Sequence, residues 1–347
     1  MREIFEKLPG ALLPWYEENK RNLPWRQGRD PYHIWLSEIM LQQTRVEAVK
    51  SYYARFLQAL PTIESLANAP DEQLHKLWEG LGYYSRVRNL KKAAQVIMQD
   101  HNSTFPGEYA AVLGLPGIGE YTAGAICSIA YGQKTAAVDG NVLRVVSRLT
   151  DDATPIDLPA YKKQVRLDLE AIYPDQAGAF TQALMELGAT VCGPNRKPDC
   201  ENCPCKAFCL ACKNGTAEQL PVKSPKKERR RQEMTVFIMC CDGKFALHKR
   251  ENKGLLAGLW EFPHVDGKLE MNEILATVEQ MGIKTTDIIK IVERKHVFTH
   301  IEWDMRGVYL RVRECDGAFC WLPADIVERE TALPTAFRQF WEERENV

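Results

Sequence analysis

The first two hundred residues repeat their apolar positions at helical spacing. Val46, Val49, Tyr53 and Phe56 recur every three or four residues, which is the period of one helix face. The same reasoning predicts helices over residues 74–81, 90–98, 121–130, 142–149 and 161–172. Asp30-Pro31 reads as a helix start, with Asp as N-cap and Pro at the first helical position. Thr44 and Glu47 have capping-box spacing, so one helix is expected to end near Gln43 and the next to begin at Arg45. No strand-like alternation competes up to about Leu210.

The pattern then changes. PVKSPKKERRRQE, from Pro221, holds prolines and a run of bases with almost no apolar residues, and reads as a linker. A solvated tether and a tether that also touches DNA phosphate both fit it. Beyond it, MTVFIMC, KFALHKR, HVFTHIEWDMRGVYLRVR and GAFCWLP are rich in β-branched and aromatic residues, as strands are. One amphipathic helix is expected over 271–281. The implied order is a helical domain (1–215), a basic linker (216–232) and an α+β domain (233–347).

Composition narrows the class without naming it. With 45% hydrophobic and 26% charged residues, the chain has the make-up of an ordinary soluble protein of two or three domains. No apolar run approaches the roughly 20 residues of a membrane span, and the N-terminus has no signal-peptide core. A cytoplasmic protein without a membrane partner is expected. Net charge is −1, so any nucleic-acid binding must come from local basic patches and backbone amides.

Eleven cysteines are many for such a chain, and six fall between Cys192 and Cys212. Cys127, Cys240, Cys241, Cys315 and Cys320 lie in apolar stretches and are expected to be buried small hydrophobes. The cluster reads Cys192-x7-Cys200-x2-Cys203-x5-Cys209. Four thiolates with one short C-x-x-C step can close around zinc or a [4Fe–4S] cube. A single C-x-x-C rather than two leans towards iron–sulfur, and Cys205 and Cys212 are spares.

Residues 113–126, LGLPGIGEYTAGAI, predict two helices joined at Pro116–Gly119, with Gly117 and Gly119 supplying positive φ. Amides at the start of the Glu120 helix would then favour an anion such as phosphate, although an ordinary helical corner has the same pattern. Asp139, in TAAVDGNVLRVVSRL, precedes an amphipathic helix and is expected to cap it. A carboxylate held by amides stays ionised and can steady a developing cation.

The hairpin, the VDGN segment and the four-cysteine loop together resemble the helix-hairpin-helix DNA glycosylases of the endonuclease III superfamily. Within it the chain is most similar to the MutY family of adenine DNA glycosylases, through WLSEIMLQQTRVEAV, GLGYYSRVRNL and FTQALMELGATVC. The resemblance extends over the C-terminal part. It implies a mainly α catalytic domain with a [4Fe–4S] loop (192–209), followed by an α+β MutT/Nudix-like domain.

The resemblance also implies roles. Glu38 matches the general acid and Asp139 the cation-stabilising carboxylate. Tyr121 stands where bifunctional relatives carry a Schiff-base lysine, which favours simple excision by water. Trp25, Arg26, Leu41, Val46 and Gln182 match an adenine pocket. Gln42, Gln43, Thr44 and Tyr83 match residues that enter the helix around the lesion, and Gly117, Gly119 and Asn141 belong to the DNA-binding set. Cys192, Cys200, Cys203 and Cys209 match the cluster ligands, but the first spacing is x7 where the family has x6, an extra residue that would bulge outward in 194–198. Phe298-Thr299-His300 matches a Phe-Ser-His loop that reads 8-oxoguanine, with Thr299 keeping the hydroxyl. GKLEMNEILATVEQMGIKT lacks the paired acids of a working Nudix box, so recognition is expected there rather than hydrolysis.

The implied activity is removal of adenine opposite 8-oxoguanine or guanine in double-stranded DNA, leaving an abasic site, by a cytoplasmic monomer that is nucleoid-associated when acting. The rivals are a bifunctional glycosylase/lyase acting on oxidised pyrimidines, a non-catalytic iron–sulfur DNA-binding protein, and a nucleotide pyrophosphatase.

Overall fold

In this computed structural model the described residues are 2–194, 197–225, 228–315 and 319–344. Asn195 and Arg196, in the segment where an outward bulge is expected, lie outside them, as do Lys226 and Lys227 of the linker. The chain divides into two compact units: residues 1–68 with 89–226, and residues 69–88 with 227–347. The second unit thus takes in a piece of the helical half, which consecutive domain boundaries do not express. Among the described residues no helix is long and apolar enough to cross a membrane.

The helices in chain order are α1 (Arg2–Glu6), α2 (Leu8–Asn19), α3 (Pro31–Leu41), α4 (Val46–Ala59), α5 (Ile63–Asn68), α6 (Asp71–Trp78), α7 (Ser85–Asp100) and α8 (Tyr109–Leu113). After them come α9 (Glu120–Tyr131), α10 (Gly140–Thr150), α11 (Pro159–Glu170), α12 (Ala177–Thr190) and α13 (Leu210–Asn214). In the first unit α12 is central, with α2, α9 and α10 packed on it. Leu8, Leu12, Leu143, Val146, Phe180 and Leu184 fill the space between them. α12 is buried on several sides, so its sequence shows no clean apolar stripe to announce it.

Asp30 caps α3 as expected, its carboxylate accepting from the Tyr32 amide at 2.8 Å. The Thr44–Glu47 capping box does not form. Gln43 turns at φ 56°, and α4 starts at Val46 with Arg45 as an N-cap that makes no side-chain cap bond. Glu47 is then two residues past the cap, one short of the reach that a box requires. α6 ends at Trp78, earlier than predicted, because Gly80 (φ 95°) and Gly82 (φ 69°) cannot continue a helix.

Among the described residues, the second unit is built on a seven-stranded sheet: β1 (Arg230–Cys241), β2 (Lys244–Lys249), β3 (Trp260–Glu261), β4 (His264–Asp266), β5 (Thr285–Val297), β6 (Ile301–Val312) and β7 (Cys320–Pro323). The main order is β3-β2-β1-β6-β5, with β4 also on β1 and β7 on β2. β1 and β6 run parallel, while β5 and β6 form an antiparallel hairpin. HVFTHIEWDMRGVYLRVR is therefore not one strand: it breaks at Phe298–His300, where the Phe298 amide donates to Ile301 O at 2.8 Å. Alternate residues of β1 face two cores. Val236 and Ile238 pack with Val327 from α15 (Ala324–Arg329) and with Phe337, Phe340 and Trp341 from α16 (Thr335–Trp341). Phe237 and Met239 pack with Ile274 and Val278 from α14 (Met271–Gln280). Cys127, Cys240 and Cys241 are buried as expected, but Cys315, which follows β6, and Cys320, the first residue of β7, are exposed.

Candidate active site

Most of the predicted N-terminal site residues come together. Trp25, Arg26, Glu38, Leu41, Gln42, Gln43, Thr44, Val46, Tyr121, Asp139, Asn141 and Gln182 all line one cavity of about 920 Å³ in the first unit. One of its carboxylates is Glu38, on α3 and only 6% exposed. Tyr121, from the first turn of α9, donates its hydroxyl proton to Glu38 Oε2 at 2.5 Å. Burial pushes the Glu38 carboxyl up to about 7. The Asp139 charge adds to that rise, while the Tyr121 bond and Arg26 oppose it.

Asp139 is the N-cap of α10. Its Oδ1 accepts from the amides of Asn141 (2.9 Å) and Val142 (2.8 Å), and Oδ2 accepts from the Asn141 side chain (2.7 Å). Burial raises its pKa above the ordinary value, and these three donors work against that rise. The Asn141 side chain in turn accepts from Arg144 Nη2 at 2.9 Å. Gly188 makes this packing possible, for a Cβ there would stand 2.8 Å from Asn141 Cβ.

The wall opposite rests on a residue the sequence did not single out. Glu186 on α12 is fully buried and binds Arg21 through Nε (2.6 Å) and Nη2 (3.0 Å), and Arg26 through Nη2 (2.8 Å). Burial acts to raise its pKa, but the arginine hydrogen bonds outweigh this and hold it below the ordinary value. Gln182, one turn earlier, accepts from the Tyr16 hydroxyl at 2.9 Å, and Trp25 meets Tyr53 edge-on at 5.5 Å. An acid among the apolar residues of FTQALMELGATVC was the available signal for Glu186.

Gly117 and Gly119 lie outside this cavity, at the exposed turn between α8 and α9. Only Gly117 has positive φ (+77°). Gly119 is the extended N-cap of α9 at φ −102°, so the expectation of two left-handed glycines holds for one.

Tyr83 is not grouped with Gln42, Gln43 and Thr44. It belongs to the second unit, where its hydroxyl lies 3.3 Å from Thr299 Oγ1. Tyr83, Phe298, Thr299 and His300 share a cavity of about 400 Å³ there. Phe298 is anchored edge-on to Trp303 at 4.8 Å, which leaves Thr299 and His300 exposed at the tip.

Cys192, Cys200, Cys203 and Cys209 line one small cavity of about 20 Å³, together with Cys212 and Arg148. Arg148 Nη1 donates to Cys192 Sγ at 3.2 Å, and Arg144 Nε donates to the Cys192 carbonyl at 2.8 Å. Cys205 is sealed in the helical core. As the side chains stand, no three His, Cys, Asp or Glu among the described residues converge closely enough to hold a metal ion.

Residues 36–170 match the HhH-GPD superfamily of base excision DNA repair proteins, and residues 234–343 match the NUDIX domain. The fold is that of a helix-hairpin-helix base-excision protein joined to a Nudix domain. The adenine DNA glycosylase of Buchnera aphidicola subsp. Baizongia pistaciae is 33% identical over 88% of this chain and 86% of that protein. Those of Arabidopsis thaliana (37% identical) and Homo sapiens (35%) align over 88% and 84% of this chain. This chain belongs to the adenine DNA glycosylase family. It spans 57% of the length of the Arabidopsis protein and 65% of the human one. Among solved structures, a thermostable thymine-DNA glycosylase superposes with a TM-score of 0.55 at 31% identity, over 61% of this chain and 97% of that one. An endonuclease III in a non-covalent DNA complex superposes at 0.52 and 22% identity, over 61% and 97%, and shares the fold.

Proposed function

We propose that this chain is a monofunctional DNA glycosylase that hydrolyses the N-glycosidic bond of adenine opposite 8-oxoguanine or guanine, leaving an abasic site. The observation that carries the proposal is the pair of carboxylates in one cavity, a Glu38 buried enough to hold a proton near neutrality and an Asp139 held by three donors. Two carboxylates in different environments can divide acid and charge-stabilising work between them.

Adenine stacked in a duplex is out of reach, so it must be extruded into the cavity at a cost of about a few kcal/mol, least for a mispaired base. Glu38 Oε2 is engaged by Tyr121, which leaves Oε1 to carry the acidic proton and deliver it to adenine N7. As the C–N bond breaks, positive charge grows on the sugar, and the Asp139 carboxylate opposes it. Water then adds to the sugar and gives up a proton, which returns to the Glu38 carboxylate. Tyr121 orients the acid and offers no amine for a Schiff base, which favours hydrolysis over the lyase reading.

Four thiols around one loop are the donor set of a [4Fe–4S] cluster, and Cys192, Cys200, Cys203 and Cys209 would hold it. Bound there, the cluster would supply a rigid anchor for the loop rather than redox chemistry, since hydrolysis moves no electrons. The exposed Thr299–His300 tip, with Tyr83 beside it, is read as the feature that recognises the base opposite adenine. The test is a duplex assay with adenine opposite 8-oxoguanine, guanine or thymine. Abasic product from the first two alone supports the proposal, and strand breaks without alkali overturn its monofunctional part.

A further inference from the structure

We infer that Glu79 is a positioning residue for the recognition tip: its carboxylate ties the turn bearing Tyr83 to segment 331–338, and thereby sets the preference for the base opposite adenine. The inference rests on the proposed reading of Phe298–His300.

Glu79 follows α6, in the stretch 69–88 that packs with the C-terminal unit. Its Oε1 accepts from the Leu333 amide at 3.0 Å and lies 3.6 Å from Arg338 Nη1. Its Oε2 accepts from Lys76 Nζ at 2.7 Å, and the same ammonium donates to Thr331 O at 3.1 Å. The carboxylate is 16% exposed, so little water is at hand to replace these partners. A chain segment more than 250 residues away in sequence is thus fastened by the Glu79 carboxylate together with the Lys76 ammonium it holds.

Four residues on stands Tyr83, at φ 47°, a conformation that non-glycine residues keep only where their surroundings enforce it. Trp78 Nε1 donates to Gly82 O at 3.0 Å, and Arg86 Nη2 donates to Leu81 O (3.0 Å) and Gly82 O (3.1 Å). These bonds close the turn on itself. They do not reach segment 331–338, whereas the Glu79 carboxylate does; beyond the turn, Arg88 Nη1 donates to Ala257 O at 2.8 Å. Releasing that tie lets the Tyr83 hydroxyl move away from Thr299 Oγ1, 3.3 Å distant.

The test compares single-turnover rates on adenine opposite 8-oxoguanine and opposite guanine for wild type, E79A, E79Q and K76M. For E79A the ratio of the two rates should fall about tenfold, the scale of one charge-assisted hydrogen bond. E79Q, which keeps an acceptor for the Leu333 amide, and K76M should fall between E79A and wild type. Thr299→Ala combined with E79A should lower the ratio by less than the product of the two single effects. Both rates falling together with the ratio unchanged, or no change at all, overturns the inference. A wild type that excises no adenine would sink the underlying reading instead.

Discussion

Tyr121 and Glu38 lie 83 positions apart and meet in a 2.5 Å hydrogen bond at the bottom of the cavity. That bond lowers the Glu38 pKa, yet burial outweighs it and the carboxyl titrates at about 7. If the protonated form is the working acid, cleavage should decline as pH rises through about 7. Single-turnover rates between pH 5.5 and 9 (approximate limits chosen around a catalytic pKa near neutrality) would show that limb. Glu38→Gln should lower the rate by about 10²- to 10⁴-fold, the usual worth of a general acid. A flat alkaline profile in wild type would remove Glu38 from that role. Stability carries the same sign: the folded state holds this proton more tightly, so the stabilisation is complete below about pH 4.3 and is lost as pH rises to about 7.

Removing only the Tyr121 hydroxyl gives a separable result. Tyr121→Phe deletes an interaction that favours the charged carboxylate, so the Glu38 pKa should rise and the alkaline limb should move to higher pH. The maximal rate should fall as well, because the acid loses the bond that orients it. A limb that moves to lower pH, or stays in place, would mean that the bond does not report on the acid.

The parts of this site that were readable from the residues themselves are short and local, whereas Glu38, Tyr121 and the pocket residues came through resemblance. A cap such as Asp139 needs only the amides two and three residues on, and a turn glycine such as Gly117 only its own φ. What was not readable depends on burial or on distant chain. Glu186 is an acid whose meaning comes from Arg21 and Arg26, some 160 residues earlier. Tyr83 was grouped with Gln42–Thr44 through resemblance, but it lies in the second unit beside Thr299, 216 residues later in the chain. The Thr44–Glu47 spacing was right for a box, and the left-handed Gln43 shifted the helix start by one residue.

The two hairpin glycines should respond differently to the same substitution. Gly117→Ala must adopt φ +77° and place its Cβ 2.6 Å from Asn89 Cβ. Left-handed backbone alone costs about 1–2 kcal/mol for a residue with a Cβ, and the clash adds to it. Gly119→Ala sits at φ −102° with nothing within 4 Å of the new methyl, so the loss should stay below about 1 kcal/mol, the cost of a poorer N-cap. Denaturant melts of both variants would check this, and duplex affinity should fall further for Gly117→Ala. Equal losses would show that the turn's backbone is not what sets its stability.

The cysteine loop makes a stoichiometric prediction. Anaerobic reconstitution should load about four irons and four sulfides per chain. Cys203→Ser should lose most of that iron, whereas Cys205→Ser should keep it, since Cys205 faces the helical core. Zinc binding with no iron uptake would replace the cluster by a structural zinc site.

Glu186 tests whether the pocket wall is held by charge. The carboxylate is fully buried between Arg21 and Arg26, the second of which is 14% exposed. Glu186→Gln leaves two guanidinium groups facing a neutral amide, and breaking a buried pair in this way costs about 3–5 kcal/mol, towards the lower end here because Arg21 reaches solvent. The pair holds the Glu186 pKa below its ordinary value. Its stabilisation is therefore complete above about pH 4.3 and is lost as pH falls through the depressed folded pKa. The stability gap between wild type and Glu186→Gln should be wide at neutral pH and narrow on acidification. Urea melts at several pH values would measure it, and a gap that stays constant into strong acid would mean that shape, rather than charge, fixes Arg26 against the cavity.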